Sequence, residues 1–142
     1  MIVGLGHVDL VCRDLERSLG FYRAVLGLGE PAMFEGERGE SIHYLRFPAH
    51  GSGSLGLRQA LEEQAFELYA PGLHHIAFAV ASRSDVDAAY EAAVASGATV
   101  LHEPRVWPQY RSDYYATFFL DPDSFRVEVA TARDARDARD AI

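Results

Sequence analysis

The sequence predicts an α+β fold made of two βαβββ modules, each with one curved half-barrel sheet. Three observations predict it. The stretch Leu5-Gly6-His7-Val8-Asp9-Leu10-Val11 is matched in pattern, 68 residues later, by Leu73-His74-His75-Ile76-Ala77-Phe78-Ala79. Both stretches alternate as strands do. Each leads into a capped helical stripe ending at a glycine, and then into three further strand-like runs. An internal repeat of this kind sets the architecture before any single residue is interpreted.

In the first module Val8, Leu10 and Cys12 fall on one face of the opening strand, and His7, Asp9 and Val11 on the other. Asp14 is the expected N-cap, Leu15, Leu19, Tyr22 and Leu26 form the apolar stripe, and Gly27 stops the helix. Strands are expected near 29–35, 41–47 and 54–59, with Pro31, Gly51 and Gly53 interrupting the first and last. In the second module Ile76, Phe78 and Val80 oppose His75, Ala77 and Ala79. Ser84 with Asp87 is the expected capping pair, with a stripe of Val86, Ala89, Tyr90 and Val94 ending at Gly97. Strands are expected near 99–106, 114–120 and 125–130. The expected organisation is a first module over 1–60, a linker over 61–71, a second module over 72–130 and a flexible charged tail over 131–142.

Composition narrows the function classes. The net charge of −8 argues against a nucleic-acid-binding surface. Cys12 is the one cysteine, which excludes an internal disulfide and a Cys-pair zinc site. All 13 basic residues are arginine, so Schiff-base chemistry and a lysine base are excluded. No apolar run is long enough to span a membrane. The opening MIVGLGHVDL has no basic region before its apolar residues, so a cytoplasmic location without a signal peptide is expected.

The repeat also implies a site. His7 and His75 open equivalent strands, on the face opposite the bulky apolar residues. In the last strand Arg126, Glu128 and Ala130 oppose Phe125, Val127 and Val129, which puts a carboxylate mid-strand. A lone buried carboxylate is costly, and a cation relieves that cost. Two neutral imidazoles and one carboxylate make an open metal site, the divalent ion being Fe2+, Mn2+, Ni2+ or Zn2+. The alternative is that both histidines are ordinary strand-end residues and Glu128 faces solvent.

The motif GHVDLVCRDLERSLGFYRAVLG, followed by LHHIAFAV, a helix ending in ASGA, and FFLDPDSFRVEVA, resembles the vicinal oxygen chelate superfamily over roughly residues 3–130. That group contains glyoxalase I, bleomycin-resistance proteins, fosfomycin-resistance enzymes and extradiol dioxygenases. The resemblance implies a glyoxalase/dioxygenase-like fold around a metal cleft. It implies ligands at His7, His75 and Glu128, and a homodimer. It also implies bidentate chelation of a small oxygen-bearing substrate with oxyanion stabilisation, in a lyase, isomerase or dioxygenase reaction. A metal-free antibiotic-binding protein of the bleomycin-resistance type is the alternative.

Departures from the family pattern limit the choice of reaction. The fourth-ligand position falls on Gly56, which argues against a glyoxalase reaction. The tyrosine of extradiol dioxygenases falls on Phe118, and the glycine after Asp-Pro-Asp is Ser124. Fosfomycin-resistance enzymes use a lysine, and this chain has none. The segment 103–119 is the expected specificity element. Within it Arg105, Trp107, Tyr110 and Tyr115 are expected to bind substrate, together with Arg58 from the first module. Tyr115 and His43 are the expected proton-transfer residues, and Asp9 is expected on the same face as His7.

Overall fold

The computed structural model describes residues 1–2, 4–48 and 53–132. The charged tail beyond Ala132 lies outside the described residues. The chain divides into two compact units, Met1–Glu67 and Leu68–Ile142. The first contains β1 (His7–Cys12), α1 (Leu15–Leu26), β2 (Ala32–Glu35), β3 (Ser41–Arg46) and β4 (Ser54–Gln59). The second contains β5 (Ile76–Val80), α2 (Arg83–Ala95), β6 (Val100–Val106), β7 (Tyr115–Leu120) and β8 (Arg126–Thr131). The strand orders are β1-β4-β3-β2 and β5-β8-β7-β6, so the repeat seen in the sequence is a repeat of topology. In each unit the first strand runs parallel to the last, and the remaining pairs are antiparallel.

Alternation along the strands decides what each sheet buries. Leu10, Cys12, Leu45, Leu55 and Leu57 are buried on one face of the first sheet. Leu15, Leu19, Tyr22 and Val25 of α1 are buried with them, and α1 packs against β4. Each fully buried leucine of this layer contributes about 1.5–3 kcal/mol. Asp14 caps α1 by accepting a hydrogen bond from the Arg17 backbone N–H at 3.0 Å. Gly27, at φ 63°, ends the helix in the left-handed conformation that a glycine adopts without strain.

The second helix begins two residues earlier than the Ser84–Asp87 pair suggested. Ser82 is its N-cap, and Ser82 and Asp85 form the reciprocal capping box. The segment SRSDVD offers two Ser-x-x-Asp pairs in different registers. Packing chooses the one that buries Val86, Ala89 and Ala93. Val94, expected in the stripe, is 49% exposed. Asp87 is thereby freed for a contact with the sheet, described below.

The turn between β7 and β8 sets the register of the last strand. The Asp121 side chain accepts from the backbone N–H groups of Asp123 and Phe125, each at 2.9 Å. Ser124 occupies the left-handed region at φ 70°, where glycine is favoured. Ser124→Gly is expected to raise the unfolding free energy by about 1 kcal/mol, the strain released at that residue. Urea denaturation measures it, and an unchanged midpoint would show that the turn carries no such strain.

Candidate functional site

The second unit brings together two of the three predicted ligands. In the parallel register of β5 and β8, Ala77 lies opposite Glu128, so His75 stands two residues back on the same face. His75 Nε2 is 3.2 Å from Glu128 Oε2. Glu128 is buried, and its Oε1 accepts a hydrogen bond from the Tyr114 hydroxyl at 2.5 Å. On the other side of the ring, His75 Nδ1 is 2.8 Å from His74 Nδ1. His74 is therefore turned toward His75. It shares a hydrogen with His75, and its ring also contacts Tyr69.

These contacts couple the tautomers. If His75 donates from Nδ1 to His74, its Nε2 presents a lone pair toward an acceptor-only carboxylate, an arrangement that needs a cation between them. If His74 donates, the Nε2–H of His75 bonds Glu128 directly. Burial, and then the hydrogen bond to Glu128, push the Tyr114 hydroxyl well above its ordinary value, so it remains a donor.

Tyr114 is the residue the sequence analysis passed over in favour of its neighbour. In the β7–β8 register Ala116 faces Ala130 and Phe118 faces Glu128. Even-numbered residues of β7 therefore share the face of Glu128. Tyr115 takes the opposite face, under α2, where its hydroxyl donates to Asp87 at 2.8 Å and the Arg83 guanidinium lies 5.0 Å from its ring centre. Tyr115, expected to meet substrate or transfer protons, thus lies on the face opposite Glu128 and is engaged by Asp87. The signal was available, since Phe118 and Tyr114 are four residues apart and share a face.

His43 is displaced for the same reason. It lies opposite Leu57 in the β3–β4 register and is buried on the α1 side of the first sheet. Its neighbour Tyr44 faces the other way, opposite Gly56. Arg58 does share that face, but it is committed: Nε bonds Asp9 at 2.6 Å and Nη1 bonds Glu40 at 2.7 Å. The two carboxylates raise its already high pKa further, with the Asp9 hydrogen bond the largest cause. His7 begins β1, with its ring edge-on to Tyr44 at 5.6 Å. Within neither unit do three His, Cys, Asp or Glu side chains gather around one point among the described residues.

Gly56 has a physical explanation in this arrangement. A Cβ there would stand 2.1 Å from Asp9 Oδ1 and 2.7 Å from Tyr44 Cε1. Asp9 is its direct partner across β1 and β4, and the Tyr44 hydroxyl donates to Asp9 Oδ2 at 3.1 Å. The second unit shows the reverse placement: the carboxylate, Glu128, is on the last strand and its partner on the first strand is the small Ala77. Each unit thus has one carboxylate and one tyrosine hydroxyl at this cross-strand pair, with the strands exchanged.

The remaining candidates line the second sheet. Trp107 is buried with Ala116, Phe118 and Ala130, and Tyr114 packs against this cluster. The Trp107 Nε1–H donates to the Ala116 carbonyl at 3.2 Å. The Arg105 guanidinium lies 3.8 Å from the centre of the Trp107 ring. Tyr110 is 63% exposed and stacks on Trp107. Register shifts in β6 place both His102 and Arg105 opposite even-numbered residues of β7, so both share the face of Glu128. Burial, then the charges of Arg105 and Arg126, hold the His102 imidazole below its ordinary value.

Comparison with known proteins agrees with this fold. Residues 4–129 match the sequence model of the Glyoxalase/Bleomycin resistance protein/Dioxygenase superfamily. The chain belongs to this superfamily. A glyoxylase/bleomycin resistance protein/dioxygenase domain from Frankia sp. EAN1pec is similar at 27% identity and TM-score 0.79, over 94% of this chain and 100% of that one. A putative glyoxalase from Bacillus halodurans is similar at 25% identity and TM-score 0.64, over 90% of this chain and 95% of that one. The fosfomycin resistance protein FosX from Listeria monocytogenes, complexed with Mn(II) and sulfate, shares the fold at 20% identity and TM-score 0.64, over 94% of this chain and 95% of that one. No curated protein sequence matches the chain. No helix among the described residues is long and apolar enough to cross a membrane.

Two outcomes test the site. Gly56→Ala is expected to cost about 1–3 kcal/mol by overpacking. Combining it with Asp9→Ala should cost less than the sum of the two single changes. Additive values in urea denaturation would show that Asp9 and Gly56 do not share this space. For His102 the folded-state value lies below the unfolded one. Its contribution is therefore fully present above its ordinary value near pH 6.5 and is lost as pH falls through the window below it. Stability should fall more steeply from pH 7 to pH 5 in the wild type than in His102→Gln; parallel curves would contradict this.

Proposed function

We propose that this protein is a metal-dependent enzyme acting on a small oxygen-bearing substrate, with His7, His75 and Glu128 as the ligands of a divalent ion. The observation that carries the reading is the 3.2 Å approach of His75 Nε2 to the buried Glu128. Ligand atoms held about 2.1 Å from one ion stand roughly 3.0–3.4 Å apart, so the two donors fit such an ion. Outer partners orient both: His74 meets the far nitrogen of His75, and Tyr114 fixes one carboxylate oxygen of Glu128. His7 is the repeat's counterpart of His75, supplied by a first module of the same chain or of a second copy in a homodimer. FosX from Listeria is seen with Mn(II), which supports a divalent ion of this kind.

When bound, the ion would chelate neighbouring substrate oxygens and stabilise developing negative charge on them. The chain's own residues supply the rest. Tyr114, rather than Tyr115 or His43, is positioned on the Glu128 face to donate or relay a proton. Arg105, Trp107 and Tyr110 form the wall against which substrate is held, whereas Arg58 serves to hold Asp9. Isomerisation, lyase chemistry and oxygenation all begin from such an enolate- or catecholate-type oxyanion.

Metal analysis of protein purified without chelator tests the reading. Stoichiometric transition metal is expected in the wild type and its loss in His75→Ala and Glu128→Gln. Metal-free wild type that binds an aromatic antibiotic tightly would instead support a sequestering protein, a reading favoured by the exposed Tyr110 stacked on Trp107.

A further inference from the structure

The second sheet has two arginines, of which the functional reading gives Arg105 a place in the wall and Arg126 none. Arg105 stacks on Trp107, and Arg126 lies 4.9 Å from the ring centre of Phe118. The two rings are themselves 5.1 Å apart, and His102 sits edge-on to both. Both arginines lie on the face that bears Glu128, Arg105 exposed and Arg126 half-buried. Among the described residues neither has a carboxylate at ion-pair distance, and Arg126 Nε is buried without a hydrogen-bond partner. Glu128, two residues from Arg126, has its oxygens engaged by Tyr114 and His75. In a chain of net charge −8, two guanidiniums on one sheet face without a carboxylate partner, each centred near an aromatic ring, are unexpected. An aromatic ring beside a guanidinium restrains the side chain while its N–H groups can still bond an oxyanion.

We propose that Arg105 and Arg126 form an oxyanion subsite that takes the carboxylate or phosphoryl group of the substrate. The proposal deepens the functional reading, because it rests on the Glu128 face being the substrate face. His102 contributes by remaining uncharged: burial and the two arginines hold its imidazole below the ordinary value, so it can accept or donate without adding charge. The substrate class is then an anion with its acidic group at Arg105 and Arg126 and its reacting oxygens toward His75 and Glu128.

The test uses full-length protein stripped of metal, titrated at low salt with methylphosphonate and with acetate by calorimetry and, for the former, phosphorus NMR. Saturable millimolar binding of at least one probe is expected, and the stronger probe identifies the oxyanion. Arg105→Gln and Arg126→Gln should each weaken it by about tenfold, as loss of a charge-assisted hydrogen bond does. His75→Ala should leave it unchanged. Arg105→Lys and Arg126→Lys, with wild-type circular dichroism, should weaken it less, and they decide the matter if a glutamine variant does not fold. No saturable binding by the wild type, or equal binding by the arginine variants, overturns the proposal. So does loss of binding confined to His75→Ala, which would place the anion at the ligand pair. Metal content is read separately, so the metal reading can fail while the subsite stands.

Discussion

A carboxylate buried in the middle of a β-strand constrains everything around it. Glu128 is inside the sheet because residues of β8 alternate, and Val127 and Val129 must lie under α2. Its charge then has to be met on the opposite face by groups from neighbouring strands. Tyr114 meets one oxygen and His75 the other. Both depend on register: antiparallel pairing with β7 on one side and parallel pairing with β5 on the other. The Asp121 turn, with its left-handed Ser124, delivers β8 into that register.

The two units solve the same packing problem with the parts exchanged. The carboxylate sits on the last strand in one and on the first strand in the other, and the small partner, Ala77 or Gly56, faces it. The cross-strand pair has room for one carboxylate. Gly56 therefore marks a place already filled by Asp9, rather than a missing function. Asp9 in turn is held by Arg58 and Tyr44, as Glu128 is held by its own partners. Among the described residues, the second unit pairs its carboxylate with a histidine at 3.2 Å, and the same face carries Trp107, Phe118, Arg105 and Arg126.

Much of this was legible in the sequence, and the failures share one cause. The repeat, the helix stripes, the faces of β1, β5 and β8, and the pairing of His75 with Glu128 on one face all follow from periods of 2 and 3.6. Tyr115 and His43 were chosen by residue type without carrying parity across to the neighbouring strand. His102 was missed because strict alternation separates it from Arg105. The irregular pairing of β6 with β7, between His102 and Arg105, puts them on the same face.

The sequence by itself determined the duplicated architecture and which residues of each strand share a face. Backbone geometry makes side-chain direction a local property, and no distant information is needed to read it. Only the tertiary structure decided which side chains touch. Strand register, the choice between two overlapping caps on α2, and the irregular stretch of β6 are settled by hydrogen bonds and packing between segments far apart in the chain. Those long-range choices put Tyr114 on Glu128, Asp9 over Gly56, and Arg105 beside the ring that adjoins Arg126.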